Sequence, residues 1–144
     1  MRCTTFDLPV VEPLAQQTIA AAGLTDRVHT AAGDFLVDPL PEADIITMSM
    51  ILHDWNLEKK MHLIQAAYDA LPPNGAFICI EPLIDDARRQ DAFGLVMSLN
   101  MLIEFGDAFG FTARDFAQWS TQVGFTRTTT LPLNGPMTAS IAYK

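Results

Sequence analysis

Ile51-Leu52-His53-Asp54-Trp55 follows an apolar run that begins at Ala43, so a histidine and an aspartate stand where a strand gives out. Open α/β sheets place their chemistry at that edge. An imidazole there suits proton uptake near neutral pH, because its ordinary pKa of about 6.5 needs little adjustment for general-base work. The plainer reading of His53 is packing at a strand end. A second ionisable group, Glu81, follows Phe77-Ile78-Cys79-Ile80. An ionised carboxylate at the mouth of so apolar a segment needs water or a partner, and an imidazole is a suitable one. A carboxylate bonded to one ring nitrogen fixes the tautomer and stabilises the imidazolium formed when the other nitrogen takes a proton. No Ser or Cys sits in a Gly-x-Ser-x-Gly elbow, which disfavours covalent catalysis. His29 and His62 lack metal-type spacing to His53, and Asp44, Asp54 and Asp69 form no recognisable cage, so no metal is expected.

Positioning these groups requires an alternation of strands and helices. Cys3 to Phe6 reads as a strand ending at Asp7-Leu8-Pro9, and Val11 to Ala22 as a helix stopped by Gly23. Arg27 to Thr30 is a second strand, ending at Gly33-Asp34-Phe35. Ala43 to Met48 is nearly all apolar, which predicts a strand buried on both faces. A helix over Leu57 to Leu71, a turn at Pro72-Pro73-Asn74-Gly75 and a buried strand over Ala76 to Ile80 follow. Phe93 to Phe105 is a helix apolar on most sides, which is either buried or covers a pocket. Thr112 and Asp115 form a capping pattern for a helix ending at Gly124. Phe125 to Leu131 and Met137 to Tyr143 complete a β-hairpin. Asp7 is placed to accept from a ribose hydroxyl pair or to cap a turn before Pro9. Gly33 would let a ligand approach the backbone, Asp34 could accept from an exocyclic amine and Phe35 could lie against a base; a plain loop is the alternative.

With 49% hydrophobic and 18% charged residues, the 144-residue chain supports one globular core and is not disordered. A net charge of −8 and scattered Lys and Arg exclude a phosphate-binding stripe, so no nucleic acid partner is expected. Cys3 and Cys79 form no framework, and no apolar stretch approaches the roughly 20 residues of a membrane span. The opening residues carry no signal-like apolar run, and a cytoplasmic protein is the expectation.

The order of motifs says more than any one of them. Asp7-Leu8-Pro9, Gly-Leu-x-Asp-Arg-Val from 23, Gly33-Asp34-Phe35, Asp-Pro-Leu-Pro-x-Ala-Asp from 38, Ile-Leu-His-Asp-Trp from 51, Leu-Pro-Pro-Asn-Gly from 71 and Glu81 run in register. This series resembles the S-adenosylmethionine-dependent O-methyltransferases of the plant caffeate and bacterial polyketide-tailoring type. The resemblance implies an α/β Rossmann-like sheet with helices on both faces and a C-terminal antiparallel hairpin, with residues 1–144 as part of the catalytic domain. It implies methyl transfer from S-adenosylmethionine to a hydroxyl of a small aromatic or polyketide-like molecule, with His53 as base and Glu81 orienting it. By the same likeness Asp7 would hold the cofactor ribose, Asp34 and Phe35 the adenine, and Ser49 would occupy a cofactor-facing place. Met50, Asp54, Asn100, Met101 and Phe105 would meet the acceptor. The parent enzyme is expected to be a homodimer.

Two positions depart from the pattern. Ser49 replaces the lysine of the plant enzymes, and Gly110, in Ala108-Phe109-Gly110-Phe111-Thr112, stands where they carry a second glutamate. Asp107 or Glu104 are candidate substitutes for that glutamate. The sequence also contains neither the family's first strand nor its Gly-x-Gly-x-Gly-like loop. The expectation is a piece of a longer enzyme, inactive alone and weak in cofactor binding. Without the first strand, either Cys3–Phe6 moves to pair with Ala43–Met48 or a gap is left in the ladder. A noncatalytic remnant and a dinucleotide-binding oxidoreductase domain are the other readings.

Overall fold

In the computed structural model, which describes residues 1–144, the hydrogen-bonded ladder is divided into a two-stranded and a four-stranded sheet. The chain forms two units, Met1–Glu42 and Ala43–Lys144. In the first, β1 (Cys3–Asp7) pairs in parallel with β2 (Val28–Ala32). Between them α1 (Glu12–Ala21) has Pro13 in its first turn, where a missing N–H is harmless. Beyond its end, Gly23 adopts φ 67. Thr30 anchors the helix: its hydroxyl donates to Glu12 Oε1 at 2.7 Å and accepts from Gln16 Nε2 at 3.2 Å. No residue of α1 is buried.

The second unit holds the core. β3 (Ile45–Ser49), β4 (Ala76–Glu81), β5 (Arg127–Pro132) and β6 (Thr138–Tyr143) are arranged β3-β4-β6-β5. β3 and β4 are parallel; β6 runs antiparallel to both β4 and β5, so the expected hairpin is present and its second strand lies next to β4. β1 does not pair with β3. Burial of β3 on both faces is not found. Ile45 is 56% exposed and Thr47 and Ser49 are exposed as well, because β3 is the edge of its sheet. β4, flanked on both sides, buries Phe77, Cys79 and Glu81.

α2 (Leu57–Ala70), α3 (Ala92–Phe105) and α4 (Ala113–Val123) complete the unit. Asn56 caps α2 by accepting from the Lys59 N–H at 3.0 Å, and Lys144 Nζ closes its other end by donating to the Tyr68 and Leu71 carbonyls. The predicted capping box of α4 is formed between Thr112 and Asp115. Phe77 packs against Phe116 and Phe125, with Tyr68 edge-on to Phe125 at 5.1 Å. Each such ring removed from water contributes roughly 1.5–3 kcal/mol. α3 approaches the chain at Gly94, where a Cβ would lie 2.7 Å from the Leu83 carbonyl oxygen. Its other side, with Phe93, Val96, Leu99 and Ile103, is exposed.

Candidate active site

The end of β3 is bent by a residue that is not glycine. Met50 adopts φ 57, in the left-handed region, while its N–H donates to the Ile80 carbonyl at 3.0 Å. The chain then enters a 3-10 turn, Leu52–Asp54. This bend turns the N–H groups of Ile51 and Leu52 onto Glu81 Oε1, at 3.0 and 2.9 Å. Glu81 Oε2 bonds His53 Nδ1. Glu81 is 1% exposed and His53 5%, so the carboxylate that apolar β4 delivers is fully partnered, as its burial demands.

An ionised carboxylate only accepts, so Nδ1 carries the proton and Nε2 of the neutral ring carries the lone pair. Asp54 Oδ1 lies 3.2 Å from Nε2. Between a lone pair and a carboxylate that contact is unfavourable; once Nε2 takes a proton it becomes an ion pair. Burial pulls the imidazole towards the neutral form, but the hydrogen bond and charge of Glu81, with the charge of Asp54, outweigh it. The pKa of His53 is raised above its ordinary value, against a smaller opposing push from Lys60. Burial raises the Asp54 carboxyl, with Glu81 and Glu104 adding to the shift and His53 opposing it. Burial also pushes the Cys79 thiol well above its usual range, so it is no nucleophile.

Sequence reading missed Lys60. It is fully buried, donates to the Trp55 carbonyl, and holds its ammonium 3.6 Å from the centroid of the Phe109 ring. Loss of hydration lowers its pKa to about 8, although the charges of Glu81, Asp54 and Asp107 partly restore it. A signal was there: Lys60 falls on the helical stripe of Leu63, Ile64, Ala67 and Leu71 that α2 and its C-cap bury.

The other expected site residues fall in both units. In the first, exposed Asp7 ends β1 and accepts from the Leu8 N–H at 2.7 Å. Half-buried Asp34 follows β2 and accepts from the Leu36 N–H at 2.9 Å; Phe35 is also half-buried. Gly33 lies against a neighbour: a Cβ there would lie 2.5 Å from the Phe6 ring. In the second unit, exposed Ser49 ends β3, and Met50 and Asp54 belong to the bend itself. Met101 is buried in α3, while Asn100 and Phe105 are exposed on it. Neither proposed substitute for the second glutamate reaches His53. Asp107 accepts from Asn56 Nδ2 at 2.7 Å, and Glu104 from Asn100 Nδ2 at 3.2 Å.

The family model for the O-methyltransferase domain matches residues 1–126. The chain belongs to this family. The O-methyltransferase assignment is borne out by relatives. A tetracenomycin polyketide 8-O-methyl transferase of Streptomyces glaucescens is 39% identical over 144 residues, covering 100% of this chain and 42% of that protein. A 3-hydroxy-5-methyl-1-naphthoate 3-O-methyltransferase of Streptomyces sahachiroi is 37% identical, covering 92% of this chain and 39% of its own length. The crystal structure of human N-acetylserotonin methyltransferase in complex with SAM superimposes with a TM-score of 0.89 at 31% identity, covering 99% of this chain and 40% of that one. The chain thus spans about two fifths of the length of these relatives. Within the O-methyltransferase family pattern, Gly110 has a packing reason. Its N–H donates to Ser98 Oγ at 2.9 Å, and a Cβ would stand 3.0 Å from Ser98 Cβ and 3.1 Å from Ile84 Cδ1, so a side chain there would require these neighbours to give way.

Proposed function

We propose that this chain is the part of an O-methyltransferase that activates the acceptor, a hydroxyl on a small aromatic or polyketide-like molecule, with His53 as general base. The carrying observation is the buried His53–Glu81 pair, which leaves Nε2 with a lone pair at the edge of the sheet. The names of the Streptomyces relatives, an 8-O-methyl transferase of tetracenomycin polyketide synthesis and a hydroxynaphthoate 3-O-methyltransferase, support the acceptor class. When bound, S-adenosylmethionine supplies a sulfonium methyl group, so the protein has to orient the acceptor oxygen and raise its nucleophilicity. His53 Nε2 would take the hydroxyl proton as the methyl group passes to the oxygen and its bond to sulfur breaks, leaving a neutral thioether; Glu81 keeps the ring in the competent tautomer, and Asp54 pairs with the imidazolium. The donor set fits the nucleoside end of the cofactor: Asp7 offers a carboxylate to ribose hydroxyls, and Asp34 and Phe35 an acceptor and a ring to adenine. None of the chain's glycines forms a Gly-x-Gly-x-Gly run, so the 144 residues alone are expected to bind it weakly and to turn over nothing.

The test is a graft of this chain into the matching region of the Streptomyces glaucescens enzyme, assayed with isotopically labelled S-adenosylmethionine and a panel of hydroxylated naphthoates and polyketides. The expected result is label in an O-methyl product. A folded graft that binds the cofactor and labels no hydroxyl would reject the reading.

A further inference from the structure

α2 carries a lysine on the stripe that it buries. Lys60 has no exposed surface, and its ammonium contacts one carbonyl oxygen, that of Trp55, and the faces of two rings, Phe109 at 3.6 Å and Phe111 at 5.9 Å. A lysine taken out of water without a contacting carboxylate is unfavourable by several kcal/mol in general, and an apolar residue of the same length would pack with less strain. Its position suggests what offsets that. Trp55 is the C-cap of the 3-10 turn, and its N–H donates to the Leu52 carbonyl at 3.2 Å, so Lys60 holds the turn that carries His53 from below. The rings that meet the ammonium come from the stretch just before α4, so one side chain joins α2, the catalytic turn and that stretch.

We propose that Lys60 is a positioning residue for His53: its buried ammonium fixes the Trp55 carbonyl, and with it the turn, and sets the charge that the imidazole faces. This rests on His53 being the proton acceptor. The groups facing Lys60 are Glu81 and Cys79 from β4, Asp54 from the turn and Asp107 beyond α3; Glu104 of α3 faces Asp54 in turn. Among them Lys60 is the one lysine, set against four carboxylates. A wholly anionic surround would favour the protonated ring. The lysine charge moderates this, and it opposes the carboxylates in the titration of the ring.

The experiment is an NMR titration of the His53 ring nitrogens in the 144-residue chain, wild type against Lys60→Met and Lys60→Arg. It needs neither cofactor nor acceptor, so it fails independently of the methyl-transfer reading. Lys60→Met, which keeps the length and removes the charge, is expected to raise the His53 pKa by about half a unit or more, and Lys60→Arg to stay within about 0.2 unit of wild type. A folded Lys60→Met protein with an unmoved His53 pKa overturns the proposal. If Lys60→Met does not fold, Lys60→Gln takes its place; loss of the fold in both makes the lysine structural only and also overturns it.

Discussion

At the scale of residues, three charges act on one imidazole, and each pushes in a direction that substitution can reverse. Glu81 and Asp54 favour the imidazolium and Lys60 disfavours it. Glu81→Gln removes an anion and leaves one amide oxygen for three donors, the Ile51 and Leu52 N–H groups and Nδ1–H, so the His53 pKa falls and the acidic limb of methyl transfer moves to lower pH. The plateau rate is expected to drop about tenfold or more, because the ring is no longer held in one tautomer; a pH–rate profile of the graft reads both effects. The sign for stability is the reverse of the sign for activity. A raised His53 pKa stabilises the fold fully below the ordinary value of 6.5, and that contribution is lost as pH rises through the folded value, where the neutral ring proposed as the base forms. His53 and Glu81 were legible because each ends an apolar strand. The contact of Asp54 with Nε2 was not, since neighbours in sequence meet at one ring only when a tight turn folds the backbone.

At the scale of elements, helix and strand periodicity located every strand and α-helix, with Thr112 and Gly124 marking boundaries where backbone groups need partners. Three features escaped it. The left-handed Met50 carries no glycine or asparagine signal, the 3-10 turn is too short to show a period, and the exposure of β3 depends on sheet order rather than on its own composition. Gly94 is a readable consequence of packing. Its absent Cβ would stand 2.7 and 2.9 Å from the carbonyl oxygens of Leu83 and Pro82, atoms that cannot swing aside. Gly94→Ala should therefore push α3 away and destabilise the chain by about 1–3 kcal/mol in urea unfolding, although alanine is the better helix former by about 1 kcal/mol.

At the scale of the whole molecule, the two units differ in how they are held. The second has a core of packed rings around β4, whereas α1 buries no residue and β1 is largely exposed. Amide hydrogen exchange should follow that division: β1 and β2 are expected to exchange at least about tenfold faster than β4 and β6. Equal protection in both sheets would contradict this. Whether β1 would pair with β3 was not legible, because pairing depends on edges and not on local pattern. His53 and Glu81, the pair proposed for catalysis, belong to the second unit, and Asp7, Asp34 and Phe35, proposed for the nucleoside, belong to the first.

The central claim is that His53 accepts the proton of the acceptor hydroxyl. Methyl-transfer rates of the graft carrying His53→Gln test it most directly, at a pH above the His53 pKa and with saturating cofactor. A loss of about 100-fold or more, with cofactor affinity unchanged, is the predicted result. A rate within about threefold of the unsubstituted graft would contradict it.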